Sequence, residues 1–304
     1  MAIEPAAASG KASWTGYVEP EPGQKLPCTI IRGREPGPKL LVTAGVHGAE
    51  YSSIEAARRL TRREPGSFAG TLTILPIVNI GAFFQHRAFR NPSDDKNVNR
   101  VFPGDPNGTA SDRLAHWLVT TAMAGQDGYV DLHGGDIVEA LIPFSIYPEA
   151  SKRSRDLALA SGLSFAAAST KRGHSYGAAA EIGVPGVLLE AGQNGLLTEE
   201  NIQLLERGVE GIMAELGMTP KANVKRAAEP RLCRMEVAMA PEAGYWHVFT
   251  KPGATVSKGE RVGVIRDLVG EWEKPILADH SGPVLYHLTS LAVSKGQALI
   301  GIAV

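Results

Sequence analysis

The sequence predicts an α/β domain, with a mixed and mostly parallel sheet flanked by helices, followed by a small all-β unit. Three observations predict it. Over the first two-thirds of the chain, short apolar runs ending in glycine alternate with amphipathic stretches at helical spacing, the pattern of a sheet held between helices. Beyond about residue 220 the helical spacing stops, and short β runs separated by Pro/Gly turns take over. No stretch approaches the roughly 18 consecutive apolar residues of a membrane helix.

The elements follow in order. Residues 1–10 carry no pattern and are expected to be loose. WTGYVEPE and LPCTIIRG read as two antiparallel strands around a Pro/Gly turn. KLLVTAGV (39–46) is a buried strand, and SSIEAARRLTR (52–62) a helix ending near Pro65-Gly66. GTLTILPIVN (70–79) is a second β run, and residues 80–109 are irregular, rich in Asn, Asp, Pro and Gly. SDRLAHWLVTTAMA (111–124) is a Ser-capped helix, and DGYVDLHGG (127–135) a strand closing in glycines. A helix over 152–162, a short one over 177–182, the strand PGVLLEAG (185–192) and a long amphipathic helix over 198–217 complete the domain. The polar stretch KANVKRAAEP (221–230) is the linker candidate, which divides the chain into a large α/β domain (1–220) and a small β domain (221–304).

Composition narrows the function classes. The chain has 304 residues, 43% hydrophobic and 21% charged, enough for one large domain or one large and one small, with a real core. A net charge of -1 gives no support to nucleic acid or an anionic membrane surface as partner. The two cysteines, Cys28 and Cys233, form no CxxC and suit a reducing compartment. MAIEPAAASGKASW has no basic start followed by an apolar run, so no signal peptide is read and the expected address is the cytoplasm. There is no GxGxxG after a strand, no Walker loop and no GxSxG elbow. If the chain associates, a homo-oligomer is the assembly to expect.

In open α/β sheets, sites gather beyond the carboxyl ends of the strands. His47, His133 and Glu190 each follow an apolar run by a residue or two. His47 and Glu50 stand three positions apart where a turn opens into a helix, so both side chains reach one ion. A catalytic zinc takes three protein ligands and keeps one position for water, and His133 is placed to be the third. Asp131 suits a role behind the ligands, orienting a histidine. Water activated by the metal needs a carboxylate to take its proton, and Glu190, a charge closing a buried strand, is the candidate base. The loop FRNPSDDKNVNRVFPG (89–104), with Arg87 just before it, brings Arg90 and Arg100 with Asn97 and Asn99, groups that match carboxylates and polarised carbonyls. Singly these signals are weak, since HxxE arises often by chance. Their conjunction is specific.

The set GVHGAE, NVNRVFPG, DLHGG and LLEAG resembles the succinylglutamate desuccinylase/aspartoacylase family of zinc deacylases, relatives of the zinc carboxypeptidases. The resemblance covers roughly residues 25–217 and recurs in the small β unit. It implies one zinc ion held by His47, Glu50 and His133, with Glu190 as general base. It implies that Asn99 and Arg100 hold a substrate carboxylate and that a second arginine polarises the carbonyl, with Arg90 the better match in spacing and Arg87 the runner-up. The substrate it implies is a small N-acyl amino acid or related amine, and the β unit looks like the lipoyl- or barrel-like cap that narrows the active-site mouth in relatives. Family members usually read DLNR where this chain reads NVNR; VFPG and DLHGGD look closer to the bacterial branch that includes deacetylases of acetylated diaminobutyrate. His174, Ser175 and Tyr176 in KRGHSYGAAAE are the candidates for setting the substrate. The competing readings are a carboxypeptidase of small peptides using the same metal site, and a non-catalytic binding protein, against which the intact His47, Glu50, His133 and Glu190 set argues. The remaining histidines are read mainly as structural, with His86 and His280 the nearest to a pocket role.

Overall fold

The computed structural model describes residues 3, 6–221 and 229–304, so most of the predicted linker, residues 222–228, lies outside the described residues. The chain opens with a hairpin of β1 (Ser13–Glu21) and β2 (Gln24–Arg32), antiparallel as expected. Next come β3 (Glu35–Ala44), α1 (Tyr51–Leu60), β4 (Ala69–Leu75), α2 (Ile80–Phe84) and α3 (Ala110–Trp117), which runs into a π-helical turn at Leu118–Met123. Then follow β5 (Gly128–His133), β6 (Glu139–Leu141), β7 (Phe144–Pro148), α4 (Lys152–Ala160), β8 (Phe165–Ser169), α5 (Ser175–Glu181), β9 (Gly186–Glu190) and α6 (Glu199–Glu215). The β-rich end comprises β10 (Arg231–Met239), β11 (Gly244–Val248), β12 (Thr255–Val256), β13 (Arg261–Arg266), β14 (Glu273–Leu277), β15 (Gly282–Leu288), β16 (Ala292–Val293) and β17 (Ala298–Ala303).

The central sheet runs β1-β2-β4-β3-β5-β9-β7-β8-β10-β17-β15-β12. Neighbours from β4 through β3 and β5 to β9 are parallel; β7 is antiparallel to β9, and β7, β8 and β10 are mutually parallel. Alternation along these strands sends side chains to two cores. Val42, Val130, Leu132, Val187 and Leu189 pack with Ile54 of α1 and Leu205 and Ile212 of α6. Leu41 and Tyr129 face the other way, onto Leu114 of α3 and Ala178 of α5. By the same alternation Asp131 and His133 share the Tyr129 face of β5.

Three strands were not foreseen. β7 and β8 are five residues each, and β8 (FAAAS) is alanine-rich, a composition that local propensity assigns to helix; parallel pairing to β7 and β10 decides otherwise. β6 has three residues and pairs antiparallel with β15, joining the segment after His133 to the C-terminal strands. The helix predicted over 111–124 is interrupted by its π-helical turn, and the irregular 80–109 stretch holds α2 and a 3-10 turn at Val98–Arg100. Within the first ten residues Ala6–Ala8 forms a 3-10 turn, and Ile3 and Ala8 are buried. In the C-terminal region β14-β13-β11-β16 form a separate antiparallel sheet, packed around Trp246, Ile265, Ile276 and Ile300. Among the described residues no helix is long and apolar enough to cross a membrane.

Helix α6 lies against α4 without room for a side chain at Gly211, where a Cβ would overlap the carbonyl oxygen of Ala160. Overpacking of this kind costs about 1–3 kcal/mol. Gly211→Ala is therefore expected to lower the thermal midpoint by several degrees in a calorimetric scan; an unshifted midpoint would show that the two helices separate freely.

Candidate metal centre and active site

Because β3, β5 and β9 are parallel neighbours, their carboxyl ends open on one side. Ala44 pairs with Leu132 and His133 with Glu190, so residues just past these ends are brought together. His47 lies in the turn after β3, and Gly48 beside it has no space for a side chain, because a Cβ there would run into the backbone of Ala82 and Phe83. Glu50 precedes α1 at the N-cap position, yet its side chain caps nothing. It is turned into the site instead: Oε1 lies 2.6 Å from His47 Nδ1, and Oε2 lies 3.0 Å from His133 Nδ1 and accepts the Gly134 N–H at 3.1 Å. One potential ligand atom from each of His47, Glu50 and His133 falls within 4.8 Å of the others, and all three residues are buried.

The donor set fits zinc. Two imidazole nitrogens and a carboxylate are a common catalytic zinc set. Both rings turn Nδ1 toward Glu50 and have an oxygen acceptor behind. His47 Nε2 is 3.1 Å from Asn97 Oδ1, and His133 Nε2 is 3.1 Å from Asp131 Oδ2, close but not aligned as a hydrogen bond. An acceptor behind Nε2 favours the proton there and leaves the Nδ1 lone pair for a metal. Asp131 is itself held: Thr43 Oγ1 donates to Oδ1 at 2.7 Å, Ser175 Oγ donates to Oδ2, and Tyr129 OH stands 2.8 Å from Thr43 Oγ1. Burial alone would raise the Glu50 carboxyl; the His133 and His47 rings override it and hold it down to about 2. The His133 imidazolium is favoured against burial by Glu50 and Asp131, which lift its pKa.

A cavity of about 660 Å³ opens on this cluster. Glu190 is on its wall, with Oε2 lacking a hydrogen-bond partner among the described residues. Burial raises the Glu190 carboxyl well above its ordinary value; His133 opposes this, while Glu50, Glu139 and Asp131 add to it. Asn99 and Arg100 line the cavity too. Asn99 Oδ1 accepts the Ser175 N–H at 2.9 Å, which leaves the amide NH2 for a substrate. His174 and Tyr176 line the same wall with ring centroids 5.4 Å apart. His174 Nδ1 sits 2.9 Å from the Arg172 carbonyl oxygen, and burial together with Arg100 depresses its pKa to about 3, so the ring is neutral and Nε2 is an acceptor.

Arg87 and Arg90 are not among the lining residues. Both are about half exposed and bind Asp95: Arg87 Nη2 to Oδ1 at 3.0 Å, and Arg90 Nη1 to the backbone oxygen at 2.6 Å. Positive φ at His86, Phe89 and Asp95 turns this loop, and it is the Phe89 ring, not either arginine, that meets His47 (centroids 5.4 Å, edge-to-face). The Phe89 N–H donates to buried Asp136 at 2.7 Å. Phe89, Glu139 and Tyr286 are wall residues that sequence reasoning missed. Only Glu139 carried a signal, as a charge inside the apolar run IVEALI.

Residues 36–216, more than half of the chain, match the model of the succinylglutamate desuccinylase/aspartoacylase catalytic domain. The N-alpha-acetyl-L-2,4-diaminobutyric acid deacetylase of Halomonas elongata is 26% identical over 297 residues, 91% of this chain and 85% of that one. The crystal structure of a succinylglutamate desuccinylase/aspartoacylase from Rhodobacter sphaeroides superposes with a TM-score of 0.83 at 25% identity, covering 97% of each chain. The product-bound ectoine utilization protein EutE (DoeB) from Ruegeria pomeroyi shares the fold, with a TM-score of 0.84 at 22% identity over 96% of this chain and 95% of that one. With the family's catalytic domain matched from β3 to the end of α6, the strand ends that carry His47, His133 and Glu190 included, this chain belongs to the succinylglutamate desuccinylase/aspartoacylase family.

Proposed function

We propose that the protein is a zinc-dependent deacylase that removes an acyl group from an N-acylated amino acid or related amine. The observation that carries this reading is the meeting of His47, Glu50 and His133 beside Glu190 on one cavity wall. His47, Glu50 and His133 would hold the ion. Bound zinc supplies Lewis-acid activation of water and of the acyl carbonyl.

The chain's own groups do the rest. Glu190, with a free carboxylate oxygen, takes the proton of the attacking water and returns it to the leaving amine nitrogen. Arg100 and the Asn99 amide orient the substrate carboxylate, a match of planar donors to a planar anion. Of the arginines weighed for the carbonyl, Arg100 already stands at the cavity, whereas Arg90 and Arg87 would have to release Asp95 first. His174 and Tyr176 form the wall that the substrate lies against. The Halomonas relative, named for acetylated diaminobutyric acid, supports an N-acetyl amino acid as the first compound to try.

A panel of N-acetyl, N-succinyl and longer N-acyl amino acids, run beside short peptides on the zinc-loaded protein, tests the reading. Release of free amino acid from one N-acyl class at kcat/KM above about 10⁴ M⁻¹s⁻¹, with peptides at least a hundredfold slower, is expected. Faster cleavage of peptides would make the protein a carboxypeptidase. Met235 and Glu236 of β10 and Tyr286 of β15 close part of the wall, which favours small substrates.

A further inference from the structure

The acidic groups at and around the cavity are not equivalent. Glu50 faces the two histidines, and Glu149 is paired with Arg234. Asp131 is held by Thr43 and Ser175, and Asp136 accepts the Phe89 and Ile137 N–H groups. Glu190 is assigned above to proton transfer. Glu236, which also lines the cavity without an ion pair among the described residues, lies exposed on β10, whereas Glu139 is different. It lines the cavity on β6, and no hydrogen bond or ion pair from the described residues reaches its carboxylate.

The residue is nonetheless fixed. Its N–H donates to the Asp136 oxygen at 2.9 Å, and its carbonyl accepts from Asn194 N–H at 2.7 Å. Across the β6–β15 ladder it opposes Leu288. The backbone is therefore held from three sides while the head group is left to the cavity. Burial pushes the Glu139 carboxyl up to about 7; Glu50 and Asp136 add to this, and His47 and Arg100 oppose it. A half-buried carboxylate with like charges near it is costly until a cation joins it. The cavity also carries the opposite charge, on Arg100 and Lys171. A ligand with both a carboxylate and an ammonium matches this pair of poles.

We infer that Glu139 is a specificity residue that binds a cationic group on the amino-acid half of the substrate, so that the preferred substrates are N-acyl derivatives of amino acids carrying a second, positively charged amine. The inference rests on the deacylase reading and deepens it.

The test compares two near-isosteric substrates, Nα-acetyl-2,4-diaminobutyrate and N-acetylnorvaline, with the zinc-loaded wild-type protein and with Glu139→Gln and Glu139→Asp. Wild type is expected to favour the diamino substrate by at least about tenfold in kcat/KM. Glu139→Gln should shrink that ratio by roughly 10- to 100-fold, mainly through KM, as expected when one partner of a desolvated charge pair is removed. Glu139→Asp should keep a preference for the cation. A ratio in Glu139→Gln within twofold of wild type, or a wild-type preference for the norvaline derivative, overturns the inference. If Glu139→Gln is inactive on both, Glu139→Asp decides: a preference kept supports the inference, and one lost overturns it. Wild type that cleaves neither compound, nor any member of the N-acyl panel, overturns the deacylase reading itself and the inference with it.

Discussion

Replacing Glu190 by Gln is expected to lower kcat by roughly 10³- to 10⁴-fold while zinc stays bound, a loss of about 4–5.5 kcal/mol of transition-state stabilisation. Three features make the expected effect large. Glu190 is the last residue of β9 and pairs in register with His133, one strand away from a proposed metal ligand. Alternation along β9 puts it with Leu188 on the cavity side, while Val187 and Leu189 are in the core beneath α1 and α6. Its Oε2 has no hydrogen-bond partner among the described residues, so the amide replaces the acid without breaking a contact on which the fold depends. A Gln of almost the same shape can neither accept the water's proton nor return it to the amine. Turnover at saturating substrate, measured beside metal content by elemental analysis, separates the outcomes. Turnover within tenfold of wild type would take proton transfer away from Glu190. A low turnover with zinc also lost would mean that the variant had damaged the metal site instead.

The second large effect is expected from the metal. Stripping the protein with a chelator should abolish turnover and lower the thermal midpoint by several degrees, and zinc should restore both. Ligand binding stabilises by about 4 kcal/mol at a free concentration a thousandfold above Kd. The metal-free arrangement explains why the gain should be real. Glu50 is 3% exposed and its carboxylate has two imidazoles for company. Burial opposes the charged form of His133, but Glu50 and Asp131 lift its pKa above the ordinary value, so protons compete with zinc for this ring more strongly than for an ordinary histidine. The sign follows: zinc affinity should weaken as pH falls, because a protonated ring must lose its proton to bind. Either His47→Ala or His133→Ala should remove both zinc responses. A stripped protein whose midpoint and turnover do not change on adding zinc would remove the metal from the account.

The strand ends that matter most could be found in the sequence because each was marked twice, by an apolar run that ends abruptly and by a polar residue directly after it. That double mark holds for His47, His133 and Glu190, and the parallel order β3-β5-β9 brings them together. The same logic applied to IVEALI would have found Glu139, but β6 is three residues long and its pairing partner lies about 150 positions later in the chain. Local pattern carries no information about such a partner. Arg90 shows a different limit. Spacing in a motif places a residue along the chain, but positive φ at Phe89 and Asp95 turns the loop so that Phe89 reaches His47 while both arginines are bound to Asp95. β8 illustrates a third: four of its five residues are alanine or serine, and only the β7 and β10 ladders make it a strand.

The ladder between β8 and β10 has one more consequence. β10 continues the central sheet in parallel with β8, and β15 takes up β6 from the segment just after His133. A chain cut after α6 would leave β8 as a bare edge, with open N–H and C=O groups able to pair with another molecule, so such a fragment should self-associate rather than behave as a smaller enzyme. The last quarter of the chain thus seals the sheet and supplies one bank of the cavity, while the groups that would carry out bond cleavage all precede it. Substitutions in β10 and β15 can therefore reshape that bank of the cavity without touching the strand ends proposed to carry the chemistry.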